Sequence, residues 1–253
     1  MDSEYAIGLN TFNIYSMHKG DVLFEGYSKV VYATEDERKV IIHFKDTATA
    51  FHNIKKATLV NKGIFDNKIS SILFGELRKA GIDSHFIEMI GEREQVCRKV
   101  SVLPLRVVVR NVASGSIVIK LGLKEGMKFV SPIFEMNYKN ESLDNPMLNA
   151  HHAVALGIAS FEELKKISDI SLRVNEVLIN LFLKIDISLI DFKLEFGRTS
   201  DGEILLADEI SPDTCRFWDI KSGKRMDKDR FRRDMGDVMQ AYEEIYSRLM
   251  TLK

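Results

Sequence analysis

Alternation of polar and apolar residues is sharpest over Asp191-Phe-Lys-Leu-Glu-Phe196, where Asp191, Lys193 and Glu195 interleave with Phe192, Leu194 and Phe196. That period of two predicts a strand with one charged and one apolar face. Asp201-Gly202 follows as a favoured hairpin turn. A two-residue turn there sets Glu195 directly opposite Asp208 and puts Ile204, Leu206 and Ile210 on the carboxylate face. Two carboxylates facing each other across a ladder repel. A hard divalent cation taking oxygen ligands reverses that sign, and Lys193, two residues along, is placed to hold a phosphate or carboxylate beside it. A local electrostatic cost of this kind is expected where function sits. A solvated hairpin with a charged outer face is the competing reading, and a three-residue loop would offset the pair by one.

Elsewhere, β-branched and aromatic runs predict strands at Val22–Glu25, Lys29–Tyr32, Val40–Phe44, His85–Ile90, Gln95–Val100 and Arg106–Arg110. One helix is predicted from Ile69 to Ala80, with Ile69, Ile72, Leu73 and Leu77 as its apolar stripe and Gly81 at its end. Ser160-Phe-Glu-Glu163 is a capping box opening a second long helix. A third runs from Lys228 to Leu249. The expected fold is α+β, with a strand-rich lobe over 1–103 and a helix-richer lobe over 104–253, meeting near Leu103-Pro104.

Bulk properties narrow the class. The chain has 253 residues, 45% hydrophobic and 29% charged, as in ordinary soluble globular proteins. A net charge of −1 gives no polyelectrolyte signal, so neither nucleic acid nor a membrane surface is expected as partner. Cys97 and Cys215 form no framework, which fits a reducing compartment. The start, Met1-Asp-Ser-Glu-Tyr, has no basic or apolar leader pattern, and no apolar run approaches the ~20 residues of a membrane span. A cytoplasmic location is the expectation.

Two further segments carry candidate chemistry. Leu23-Phe-Glu-Gly26-Tyr-Ser-Lys29 reads as strand, glycine turn, strand, a geometry that can lay amides over a polyphosphate with Lys29 as a point charge; taken alone, these residues favour a plain hairpin turn over a phosphate lid. Arg110-Asn-Val-Ala-Ser-Gly115-Ser116 reads as strand, small-residue turn and helix start, with Ser116 as N-cap and Arg110 near an anion site. An ordinary strand-to-helix connection is the alternative. His151-His152 lacks partners at metal-ligand spacing. No Gly-x-Ser-x-Gly elbow, Walker loop or GxGxxG is present. Phosphate-binding devices in both halves plus a carboxylate pair point to nucleotide and metal chemistry between two lobes, phosphoryl transfer leading.

These same residues resemble the SAICAR synthetase (phosphoribosylaminoimidazole-succinocarboxamide synthase) family. The likeness is nearly colinear from Leu23 to the last helix. It includes Asp46-Thr-Ala-Thr-Ala-Phe51, Val108 to Ser116, Asp191 to Gly197, Leu206 to Trp218 and Met226 to Asp234. The resemblance implies an N-terminal sheet similar to the small lobe of protein kinases, with ATP in the cleft below. It implies condensation of the carboxylated aminoimidazole ribonucleotide (CAIR) with L-aspartate, using ATP and Mg²⁺, in a homodimer. Carried over, Gly26 and Lys29 would meet ATP phosphates, Lys139 would reach the nucleotide, and Val96, Lys99 and Val100 would belong to an inter-lobe hinge meeting adenine. Glu195 and Asp208 would hold Mg²⁺, and Asp191, Lys193 and Arg216 would serve the reacting end. Arg110, Gly115, Ser116 and Arg216 would bind the ribonucleotide's anionic groups. The chain departs from the family where Tyr27 replaces a lysine of the phosphate turn, with Lys55 or Lys56 as candidate compensation, at Asn145-Pro146, and at His52-Asn53. A small-molecule kinase with the same cleft and a nucleotide-binding protein without turnover are the rival functions.

Overall fold

The computed structural model describes residues 18–50 and 54–252. Phe51 of the Asp46–Phe51 motif, the His52-Asn53 departure and the Met1–Tyr5 start lie outside the described residues. In chain order the first part forms β1 (Val22–Glu25), β2 (Lys29–Ala33), β3 (Lys39–Phe44), β4 (Thr47–Ala50), β5 (Lys55–Thr58), α1 (Lys62–Lys79), β6 (Phe86–Gly91) and β7 (Glu94–Arg98). Then come β8 (Ser101–Val102), β9 (Leu105–Val112), α2 (Ser116–Lys120), β10 (Lys128–Tyr138), β11 (Met147–Leu148), α3 (Ala150–Ala155) and α4 (Phe161–Leu183). The last part is β12 (Ile187–Arg198), β13 (Ile204–Ala207), β14 (Cys215–Asp219), α5 (Asp229–Arg232) and α6 (Val238–Met250).

Two large antiparallel sheets and a two-stranded β4–β5 sheet organise these elements, so the α+β class holds. One runs β1-β2-β3-β7-β6; the other runs β11-β10-β9-β12-β13, with β8 and β14 also on β12. The chain passes from the first sheet to the second across Lys99-Val100. A continuous core nonetheless spans both parts, joining Leu73 and Leu77 of α1, Val107 and Val109 of β9, Val174 and Leu178 of α4, and Phe192, Leu194 and Phe196 of β12. At ~25 cal/mol per Å² of apolar area, such a core is the main stabilising term. The α4 capping box forms as expected, with Ser160 Oγ accepting from the Glu163 amide at 3.1 Å and Glu163 Oε2 from the Ser160 amide at 2.7 Å.

Strand β12 positions the site because its neighbours change along its length. At Asp191 and Phe192 it is flanked by β9 and β14, and at Gly197 and Arg198 by β8 and β13. Between β13 and β14 the chain leaves the sheet over Asp208–Thr214 and returns its Thr214 carbonyl to the Lys193 amide at 2.8 Å.

The structure corrects several expectations. Glu195 pairs with Ala207, and Asp208 lies beyond the last pair. The cause is a three-residue loop, Ser200-Asp201-Gly202, closed by the Thr199 amide on the Glu203 carbonyl at 2.9 Å, with Gly202 at φ 82°. This register moves Ile204 and Leu206 to the face of Phe196, and with Ile210 they are core residues at 3%, 0% and 0% exposure. Helix α1 begins seven residues before the predicted start, since its first turns bury polar Lys62, Asp66 and Asn67 and show no apolar stripe. The predicted last helix is two, broken at Arg233–Asp237 where Asp234, Gly236 and Asp237 take φ of 52°, 70° and 48°. Gly115, not Ser116, is the N-cap residue of α2. The sixth and seventh strands are shifted, β7 ending at Arg98 so that Lys99 and Val100 fall outside it.

Candidate active site

A cavity of about 500 Å³ opens where the β1–β2 turn, β4 and the charged face of β12 converge. Gly26, Tyr27, Ser28 and Lys29 line it from the turn, and Thr49 and Ala50 from β4. Arg106, Lys139, Lys193 and Glu195 line it from the second sheet, and Asp208, Glu209, Asp213, Thr214, Lys228 and Arg232 from the segments that follow β13. Six of the sequence-predicted residues therefore share one cavity: Gly26, Lys29, Lys139, Lys193, Glu195 and Asp208.

Asp208 reaches it by breaking the strand alternation. Its φ is 64°, a left-handed conformation that costs energy for a residue with a Cβ. His85 fixes the bend, its Nε2 donating to the Asp208 carbonyl at 2.9 Å. Burial pushes the His85 imidazole down to about 4, so the ring is neutral and the donor nitrogen keeps its proton. The Asp208 carboxylate then accepts a hydrogen bond from Lys29 Nζ, and Glu209 Oε1 lies 3.0 Å from the same ammonium. Burial disfavours the Lys29 charge, but Asp208 and Glu209 outweigh it and hold the ammonium protonated.

Glu195 accepts from Lys139 Nζ at 2.5 Å. Burial raises its carboxyl above the ordinary value, and the Asp208 charge adds to that rise against the pull of Lys139. Asp208 moves the other way: burial raises it, but Lys29's charge and hydrogen bond bring it below the usual range. The two carboxylates sense each other across the cavity even though the ladder does not pair them. Among the described residues no group of three or more His, Cys, Asp or Glu side chains is set to hold a metal. A pair of carboxylates beside an open cavity fits Mg²⁺, which takes one or two protein carboxylates and completes its shell with water and phosphate oxygens.

Lys193 is the cation of this set without an ion pair among the described residues. Burial, with the charges of Arg232, Arg106 and Arg216 behind it, drives its ammonium well below the ordinary lysine range, and Asp191 relieves this only in part. An amine surrounded by guanidinium groups is a site waiting for anions.

Arg110, Gly115, Ser116, Asp191 and Arg216 do not line this cavity and form a cluster of their own. Asp191 is paired in register with Arg110 of β9 on one side and Arg216 of β14 on the other. Its carboxylate accepts from Arg110 Nη1 at 3.1 Å and from Arg216 Nη1 at 2.8 and 2.9 Å. Arg110 is further held by Glu135 at 2.9 Å through both Nε and Nη2. Arg216 Nε donates to Asp229 at 2.8 Å, and Arg232 Nη1 donates to the same carboxylate at 2.6 Å. Val96, Lys99 and Val100 do not line the cavity; Val96 is buried in β7.

The SAICAR synthetase family model matches residues 22–249. The chain belongs to the SAICAR synthetase family. A phosphoribosylaminoimidazole-succinocarboxamide synthase of Clostridium perfringens is 55% identical over 229 residues, covering 90% of this chain and 97% of its own. One from Fusobacterium nucleatum is 49% identical, covering 94% and 100%. The crystal structure of the Ehrlichia chaffeensis synthase superposes with a TM-score of 0.88 at 43% identity, covering 90% of this chain and 98% of that one. A SAICAR synthetase solved in complex with ADP gives a TM-score of 0.87 at 48% identity, covering 90% and 97%.

In this family member the sequence reading missed several cavity residues. Arg106 shares a strand face with Arg110, four positions on, and period-two alternation along β9 was the available signal. Lys228 and Arg232 lie four apart, a spacing that puts both on one side of a helix start. Glu209 and Asp213 had no readable signal, because their placement depends on the irregular segment after β13.

Proposed function

We propose that this chain is an ATP-dependent carbon–nitrogen ligase of purine biosynthesis, joining CAIR to L-aspartate with release of ADP and phosphate. The observation that carries this reading is the single cavity in which a phosphate-type turn, a carboxylate pair and the cluster Lys193, Arg106 and Arg232 face one another. ATP lies, in this reading, beneath the Gly26–Lys29 turn, in a cleft similar to that of protein kinases, between lobes 1–103 and 104–253. Val96, Lys99 and Val100 form the hinge beside adenine. The ADP held by a 48% identical relative supports the nucleotide assignment.

The chemistry needs what these residues offer. A carboxylate repels a nucleophile, so transfer of the terminal phosphoryl group onto CAIR's carboxylate makes an acyl phosphate that the aspartate amine can attack. Glu195 and Asp208 hold Mg²⁺, which screens phosphate charge when bound. Lys29 and Lys139, now resting on those carboxylates, are released toward phosphate oxygens. Lys193 and Arg106 meet the reacting carboxylate end, and Arg216, held by Asp191, serves the ribonucleotide anions with Arg110, Gly115 and Ser116 shaping its bed. Exposed Ile119, Leu121, Met127 and Val130, all on the α2–β10 stretch, support a homodimer. No described helix is long and apolar enough to cross a membrane; a cytoplasmic location belongs to the proposed reading, as the place of purine biosynthesis.

The test is ADP release measured with each substrate omitted in turn. Both CAIR and aspartate should be required, with the amide product seen by mass spectrometry. Phosphate transfer to an alcohol, with no amide formed, would instead establish a small-molecule kinase.

A further inference from the structure

The β1–β2 turn presents an anion site with no lysine of its own at the tip. Tyr27 stands there, half exposed and lining the cavity. The Tyr27 and Ser28 amides donate to no acceptor among the described residues, and both residues line the cavity. Such adjacent free amides form a concavity suited to phosphate oxygens.

A cation reaches this turn from a different element. Lys56 of β5 is paired in register with Thr49 of β4, which lines the cavity. Residues paired across an antiparallel ladder project to the same face, so exposed Lys56 shares the face of Thr49, at the rim of the cavity rather than in its lining. Its ammonium lies over the Tyr27 ring, 5.5 Å from the centroid.

The neighbouring lysines are already committed. Lys45 is paired with Glu25 at 2.9 Å. Lys55, one residue away and on the opposite face, donates to the Phe231 carbonyl at 2.6 Å and to Asp234 at 2.5 Å. Lys29 rests on Asp208 and Glu209. Among the described residues Lys56 alone of these four carries no carboxylate. The aromatic face attracts its charge without neutralising it.

We propose that Lys56 is the cation that meets the nucleotide polyphosphate at the β1–β2 turn, with Tyr27 as the positioning residue that holds its ammonium there. This rests on the reading of the cavity as an ATP site and adds the residue that completes it. Binding then brings the β4–β5 hairpin and the β1–β2 turn onto the same phosphates from two sides. Lys55 anchors that hairpin to α5, so Lys56 is delivered from a fixed base.

Steady-state kinetics of Lys56→Ala, Lys56→Arg, Tyr27→Leu and the double variant test it, with Lys68→Ala as a control for loss of surface charge. Lys56→Ala should raise KM for ATP about tenfold, the loss of one charge-assisted contact, with kcat and the KM for CAIR and aspartate within about twofold. Lys56→Arg should stay near wild type, because guanidinium keeps both the charge and the ring contact. Tyr27→Leu should raise KM for ATP less than Lys56→Ala does, and the double variant should match Lys56→Ala, since Tyr27 acts through Lys56. Calorimetry of ADP binding to the wild-type chain separates the two levels of argument. If wild type binds ADP while Lys56→Ala keeps the wild-type KM, or if the two effects add fully, the assignment of Lys56 is overturned. If wild type binds no ADP, the ATP-site reading falls and the assignment with it.

Discussion

The α-carbon of Gly115 lies directly against the guanidinium of Arg216: a methyl group built on it would stand 2.6 Å from Nη2 and 2.8 Å from Cζ. Gly115 also has φ 67° and ψ −138°, a conformation open essentially to glycine alone. Gly115→Ala therefore strains the backbone by about 1–3 kcal/mol and pushes Arg216 off Asp191. We expect KM for the ribonucleotide to rise about tenfold or more, as one charge-assisted contact is lost, while KM for ATP stays put. Wild-type ribonucleotide kinetics in this variant would show that Arg216 does not serve that substrate.

Asp191 joins three adjacent strands by charge, with Arg110 and Arg216 as its cross-strand partners. The carboxylate is 2% exposed, so its removal leaves Arg110 with Glu135 and Arg216 with Asp229, each one carboxylate short in a poorly solvated place. Breaking a buried pair from one side costs about 3–5 kcal/mol. Asp191→Asn should lose roughly that much in urea-unfolding free energy, with ATP affinity retained by the folded fraction. A loss below ~1 kcal/mol would mean that solvent or Glu135 satisfies the arginines.

Glu195→Gln and Asp208→Asn each remove one of the two carboxylates assigned to the metal. Turnover should fall at least ~100-fold in each, and raising Mg²⁺ should recover part of it. Chelation of Mg²⁺ should silence the wild type. Near-normal turnover in both variants would place the metal elsewhere.

The legible part of this molecule was its local chemistry, and the illegible part was where irregular backbone carried it. Phe192, Leu194 and Phe196 announced the core face of β12, and Ser160 with Glu163 announced α4. Glu195 and Asp208 were singled out from a register that proved one residue off. Both still line one cavity, and Asp208 does so from a left-handed conformation, φ 64°, outside the strand alternation. Period-two reasoning cannot foresee that conformation, since it assumes every residue stays extended. The same limit hid Lys62, Asp66 and Asp213. Lys62 is fully buried, yet it sits 2.7 Å from Asp66 and 2.9 Å from Asp213, and a polar helix start of this kind shows no apolar stripe to detect. Strand β10 carries Pro132 and long exposed stretches, so it lacked the composition of a strand until β9 was there to pair with it.

Arg198, the last residue of β12, holds Glu163 in the first turn of α4, and this pair gives stability a defined pH dependence. Nε donates to Oε1 at 2.5 Å and Nη2 to Oε2 at 2.9 Å. These hydrogen bonds, with the Ser160 amide, bring the Glu163 carboxyl from its ordinary 4.5 down to about 2. A depressed carboxyl means the unfolded chain binds the proton first as pH falls. The contribution is therefore fully present above about pH 4.5, shrinks as pH drops, and is gone near pH 2. Arg198 is 35% exposed, so solvent screens the pair and its worth is about 1 kcal/mol rather than the full shift. Glu163→Gln keeps the capping hydrogen bonds and removes the charge. Urea midpoints from pH 7 down to 3.5 should show a gap of about 1 kcal/mol between wild type and variant that begins to close below pH 4.5. A gap that does not change with pH would assign the effect to packing, and the ion pair between α4 and β12 would then contribute nothing to stability.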